Sequence, residues 1–231
     1  MRTKRVQCYA TLLGLLLAAA FQSGRPRDHS APKENIEGKL TLPFAGNPAS
    51  FNSIGGAFQT LILKSSLPGG EVITEGCGGE PHKIVRVHGA TIGEALKSIV
   101  AVEPSYGLNV KNGVIDLLPR EGVPPLLNVR IREFSSGTAA DMSSAGTLLF
   151  ALPDVTDAAV KLGLTRNASG SGLYAVIPGL HKQARRLDID LRDVTVRDAL
   201  DAIVKTNGSG VWVYRETLCG TSKVFDLNFS Q

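Results

Sequence analysis

The chain has 231 residues, 43% of them hydrophobic and 20% charged, so two domains of equal size would each lie near the lower limit for a self-sufficient core. Its 25 Lys and Arg against 21 Asp and Glu give a formal net charge of +4. Arg2, Lys4 and Arg5 sit at the extreme N-terminus, however, and the remainder is nearly neutral with no basic stripe, which speaks against nucleic-acid binding.

Residues 1–20 read as an export signal: a basic start, Met1-Arg-Thr-Lys-Arg5, an apolar run over 6–20, and small residues Ala18, Ala19 and Ala20 for cleavage. The run is short for a membrane span, which takes about 20 residues, although an uncleaved anchor is the competing reading. Cys8 lies inside the apolar run and is not placed as a lipidation cysteine. The expectation is a periplasmic or secreted protein with no integral span after cleavage. Residues 21–36, polar and carrying Pro26 and Pro32, read as a flexible tether.

A first domain is expected over 37–119. It opens with a strand at 38–44 and a helix at 57–64, followed by a Gly-rich loop that holds Cys77. In Ile84-Val-Arg-Val-His88, Val85 and Val87 alternate with Arg86 and His88, as in a strand with one buried face. Thr91 then caps a helix, with Glu94 three residues on completing a capping box, and Ile92, Ala95, Leu96 and Ile99 form its buried stripe. The helix stops before Pro104. Asn112-Gly113 is a two-residue hairpin turn between strands at 107–110 and 114–118.

Residues 120–126 read as a linker, and a second domain is expected over 127–231. A strand at 127–134 leads to a largely helical stretch ending near Leu162, which Pro153 must break or kink. Leu187-Asp-Ile-Asp-Leu191 alternates as a strand; Thr195 and Asp198 begin a helix that ends at Asn207-Gly208; strands follow at 210–214 and 223–229.

The second domain restates the first. Gly89-Ala-Thr-Ile-Gly-Glu-Ala-Leu-Lys-Ser-Ile-Val100 returns as Asp193-Val-Thr-Val-Arg-Asp-Ala-Leu-Asp-Ala-Ile-Val204, with Thr91/Thr195, Ala95/Ala199, Leu96/Leu200, Ile99/Ile203 and Val100/Val204 identical. The expected fold is α+β: two small repeated βαβ-type domains with mixed sheets and helices packed on one face.

Few residues suggest chemistry. Cys77, His82 and His88 have suitable ligand types, but a closed zinc site needs four ligands and no fourth is near, so no metal site is assigned. Ser169-Gly-Ser-Gly172 and Asn207-Gly-Ser-Gly210 lack the spacing of a nucleophile elbow and read as turns. Asp188 and Asp190 read as a solvated strand edge. No phosphate loop or dinucleotide fingerprint occurs, so no catalytic residue and no cofactor is assigned. Cys77 and Cys219 either form a disulfide clamping the domains or remain independent thiols. Trp212 and Tyr214 project from one strand face, either as a partner or ligand surface or packed against the other domain.

The segment 187–204 followed by Gly210-Val-Trp-Val-Tyr214 resembles the N-terminal short domain of secretins and TonB-dependent receptors, and 84–118 is a looser match. The resemblance covers about a third of the chain and rests on strand, cap and core positions. It implies a periplasmic α+β module working by protein–protein contact, with an envelope protein such as a secretin or TonB-dependent receptor component as partner. The expected function is therefore non-catalytic protein binding or envelope assembly; the alternative is small-ligand or glycan binding at an interdomain cleft using Trp212 and Tyr214.

Overall fold

The computed structural model describes residues 49–78, 83–89, 91–137, 139–167 and 186–231. The expected signal, the tether and the strand at 38–44 lie outside these residues, as do His82 and 169–172. In chain order, β1 (Ala49–Phe51) leads to α1 (Ile54–Lys64), whose first turn is closed by Ser53 Oγ accepting from Gly56 N at 3.0 Å. β2 (Pro68–Gly76) and β3 (Val85–Val87) follow, and β3 pairs antiparallel with β1. α2 (Ile92–Val102) then precedes the hairpin of β4 (Tyr106–Lys111) and β5 (Val114–Pro119), turned at Asn112 and Gly113 with φ of 53° and 83°.

A 3-10 turn at Pro125–Asn128 leads into β6 (Arg130–Ser135). The helical stretch that follows is divided as Pro153 requires: α3 (Met142–Phe150) ends, and α4 (Pro153–Lys161) begins with the proline in its first turn, where its missing N–H is not needed. β7 (Leu164–Arg166), β8 (Asp190–Thr195), α5 (Val196–Asn207), β9 (Gly210–Cys219) and β10 (Ser222–Ser230) complete the chain.

Both copies of the repeated sequence form strand, helix and strand. Thr91 Oγ1 accepts from Glu94 N at 3.2 Å while Glu94 Oε2 accepts from Thr91 N at 3.1 Å. Thr195 and Asp198 make the same reciprocal pair at 3.1 and 3.3 Å, so the shorter aspartate also completes a capping box. Leu96 and Leu200 are both buried, as the centre of each helix stripe requires.

The fold is α+β with mixed sheets. Its main sheet has six strands in the order β4-β5-β2-β9-β10-β7, flanked by the two-stranded pairs β1-β3 and β6-β8. β2 lies parallel to β5 on one side and to β9 on the other, so the main sheet takes strands from both sides of 120–126. In that segment's continuation, Leu126 and Leu127 are wholly buried in a core shared with α5 and β9. The described residues belong to one compact unit.

The helices cover both faces of this sheet, which corrects the one-face expectation. Ile73, Ile115, Leu117, Val211 and Val213 point into the core beneath α1 and α2, whereas Val72, Val114, Leu118, Trp212 and Tyr214 point into the core beneath α3 and α5. The cause is the period of two: once β2, β5 and β9 are central strands, alternate residues must be covered from opposite sides.

Candidate functional site

Of the residues singled out by sequence, Cys77 and Cys219 are joined in a disulfide with Cα atoms 4.8 Å apart. The bridge follows from register: Gly76 at the end of β2 sits beside Leu218 of β9, so the next residue of each parallel strand meets its neighbour. Bonded to Cys219, Cys77 has no thiolate to offer a metal. His88 is exposed, its ring nitrogen Nδ1 3.2 Å from the carbonyl oxygen of Arg86. Asp188 and Asp190 are exposed as well.

Trp212 and Tyr214 require a correction. Both have 0% exposure and offer no partner or ligand surface. The face opposite Val211 and Val213 is not solvent but the second core, and Tyr214 stacks there on Phe225 at 5.9 Å between ring centres. The Tyr214 hydroxyl donates to Glu216 Oε2 at 2.9 Å, and burial, then the Glu216 charge, raises its pKa. With both aromatics enclosed, the aromatic cleft for a glycan loses its basis.

What Trp212 covers is chemically more informative. Register places Asp116 of β5, Gly70 of β2 and Trp212 of β9 side by side on one face of three adjacent strands. The indole lies across Gly70; a methyl group there would run into Cε2 and Cζ2 of Trp212 and into Asp116 Oδ1. Over this row lies α5, with Arg197 and Asp201 one turn apart on the same side of the helix. Arg197 donates to Asp116 Oδ2 through Nη2 at 2.6 Å and Nε at 3.1 Å, and Trp212 Nε1 donates to Asp201 Oδ1 at 2.9 Å.

Asp116 is 0% and Asp201 7% exposed, and the Arg197 guanidinium is paired with Asp116. Burial, and next the negative charge of Asp116, push the Asp201 carboxyl up to about 8. Burial also raises Asp116, against the pull of Arg197. Asp116 Oδ1 has no ordinary donor although it is buried. Asp201 is the neighbouring acid that acts on Asp116, and a proton on it is a donor that could reach the unpartnered oxygen. Beside this group, Lys111 Nζ donates to Asp198 Oδ1 at 2.6 Å, a second tie between the β4–β5 hairpin and α5.

The opposite face of β2 holds another enclosed carboxylate. Glu71 is 0% exposed, accepts from Gln59 Nε2 at 2.7 Å and lies against Gly55 in the first turn of α1, where the helix dipole favours negative charge. A cavity of about 370 Å³ opens between α1, β2 and α2 and is lined by Glu75, Val102, Tyr106 and the Lys83–Glu103 ion pair.

The remaining open feature is the sheet edge. Among the described residues, β4 pairs only with β5. A two-residue turn makes Lys111 and Val114 a hydrogen-bonded pair, so by alternation Leu108 and Val110 turn their backbone N–H and C=O away from β5. Val110 is 51% exposed. β7, at the other edge, has three residues against six in β4.

Comparison with known proteins finds no family model, no curated protein and no solved structure that matches this chain.

Sequence reasoning missed Asp116, Arg197, Asp201 and Glu71. Asp116 left a signal, as one acid in the otherwise apolar strand Val114-Ile-Asp-Leu-Leu118. The helix residues did not, because Arg197 and Asp201 at a four-residue spacing look like an exposed surface pair. The equivalent of Asp201 in the first copy is Lys97, which is exposed.

Proposed function

We propose that this chain is an exported, non-catalytic protein-binding module of the N-terminal short-domain type. It receives an extended segment of an envelope protein, such as a secretin or TonB-dependent receptor component, along the outer edge of β4. The observation that supports this reading is the six-residue β4 edge, left open among the described residues, with the half-exposed Val110 beside it. Strand addition at such an edge takes affinity from main-chain hydrogen bonds and specificity from alternate side chains. Ladders of this kind recruit other chains unless an edge is protected, and a run carrying Leu108, Val110 and a single terminal lysine, Lys111, is lightly protected.

Proline at position 110 tests the reading, because it removes an outward N–H while the bonds from Asn109 and Gly107 to β5 remain. A photo-cross-linker at Leu108 is expected to capture one discrete envelope protein with the native sequence and to lose it with Val110→Pro, at unchanged thermal unfolding. Equal capture by the proline variant, or no adduct at all, overturns the edge as the contact. Export has its own check: the N-terminus of the protein recovered from the envelope fraction should begin near Phe21.

A further inference from the structure

We propose that Asp116 and Asp201 hold one proton between them and that its loss releases α5 from the shared sheet, making the junction of the two sequence copies an alkaline-sensitive latch. The junction is where the chemistry is concentrated. Asp116 comes from the strand of the first copy, Arg197 and Asp201 from the helix of the second, and Trp212 closes the group from β9. With one proton present, each oxygen of the two carboxyls has a use. Asp116 Oδ2 accepts from Arg197 Nε and Nη2, Asp201 Oδ1 takes the indole N–H, and an acid hydrogen on Asp201 would serve Asp116 Oδ1, which otherwise lacks a donor. Such a network rigidifies when complete and is costly when one member is lost.

Without the proton, two buried carboxylates face a single guanidinium. Among the described residues, the second negative charge finds no other cation facing it. On α5 these are Arg197 and Asp198; from the hairpin comes Lys111, already bonded to Asp198. α3 and the 3-10 turn at Pro125–Asn128 carry no ionisable side chain, and Glu71 of β2 points into the opposite core. On β6 and β8, Arg130 pairs with Asp193 and Arg192 with Glu133 at the exposed surface. The repulsion therefore acts between β5 and α5, and water entering to solvate the released charge must displace the indole from Asp201.

Trp212 is the only tryptophan of the chain, so its fluorescence reads this site alone. Titrating the full chain from about pH 6 to about pH 10 should give a reversible emission change on the alkaline side of neutrality, absent from Asp201→Asn. The infrared spectrum of the native protein should show a carboxylic-acid C=O band at neutral pH that disappears through the same transition. A flat emission profile in the native protein, no acid band at neutral pH, or a transition that survives in Asp201→Asn each overturns the latch. Should the asparagine variant fail to fold, the two native-protein measurements decide alone. A β4 edge that binds nothing would leave these readings unchanged, so failure of the binding proposal is separable from failure of this one.

Discussion

Gly70 decides whether Trp212 can lie where it does. The indole occupies the space that any side chain at position 70 would fill, between the strand and the carboxyl of Asp116. Gly70→Ala therefore has no flexible neighbour to displace: the ring is wedged beneath α5 and fixed by its bond to Asp201. Overpacking of this kind costs about 1–3 kcal/mol, and the expected result is a fall of that size in urea unfolding with an altered tryptophan emission maximum. An unchanged midpoint would show that the indole can shift without loss. By contrast, Gly78, where a methyl group meets nothing within 4 Å, should accept alanine with little effect.

At the level of elements, α2 and α5 are each fixed by a threonine cap and an apolar stripe, and both were legible in the sequence because they are local. Leu96 is 2% exposed and Leu200 0%, each against its own core. Leu200→Ala is expected to destabilise by about 2–5 kcal/mol, with the larger cavity term if Ile131 and Phe134 cannot close in, and equilibrium unfolding measures it. The strand of the second copy also read correctly in its burial, with Leu187 and Ile189 inward and Asp188 and Asp190 outward, although regular pairing starts only at Asp190. β2 was not legible. Pro68-Gly-Gly-Glu-Val-Ile-Thr-Glu-Gly76 has three glycines, a proline and two acids, which in isolation read as a loop. Its acids and Gly70 make sense only beside Gln59, Trp212 and Arg215, residues that folding brings from other elements. The same holds for Asp201. No local rule tells it from Lys97, since what differs is the surface each helix meets.

For the molecule as a whole, the disulfide and the carboxyl pair both tie residues before 120–126 to residues after it, the first at the end of the parallel contact of β2 with β9 and the second between β5 and α5. Cys77 and Cys219 close a separation of 142 residues, so reduction enlarges the unfolded ensemble considerably. A loss of about 2–5 kcal/mol is expected, seen as a lower denaturation temperature in dithiothreitol and matched by a Cys77→Ser, Cys219→Ser double variant. The pH dependence has a definite sign. Asp201 binds its proton more tightly folded, up to about 8, than at the unfolded value of 3.8. Its contribution is therefore full below the unfolded value and is lost as pH rises towards 8. Asp198 acts in the other sense: burial would raise it, but the bonds from Lys111 and Thr195 prevail and hold it low, so its contribution fades in acid. Denaturant unfolding should then show greater stability on the mildly acidic side than in alkali, and Asp201→Asn should flatten the alkaline limb. A native protein that gains stability between neutral and alkaline pH would contradict this account.

β2 is made early and finished late. Its partner β9 is synthesised more than a hundred residues after it, so a nascent chain holding only the first copy presents a bare parallel edge and a half-roofed core in which the places of Val211 and Val213 are vacant. Parallel pairing between segments so distant in sequence forms slowly and leaves apolar surface exposed meanwhile. The shared sheet thus carries an obligation of timing: the earlier half stays incomplete until β9 is made, and the later half closes it.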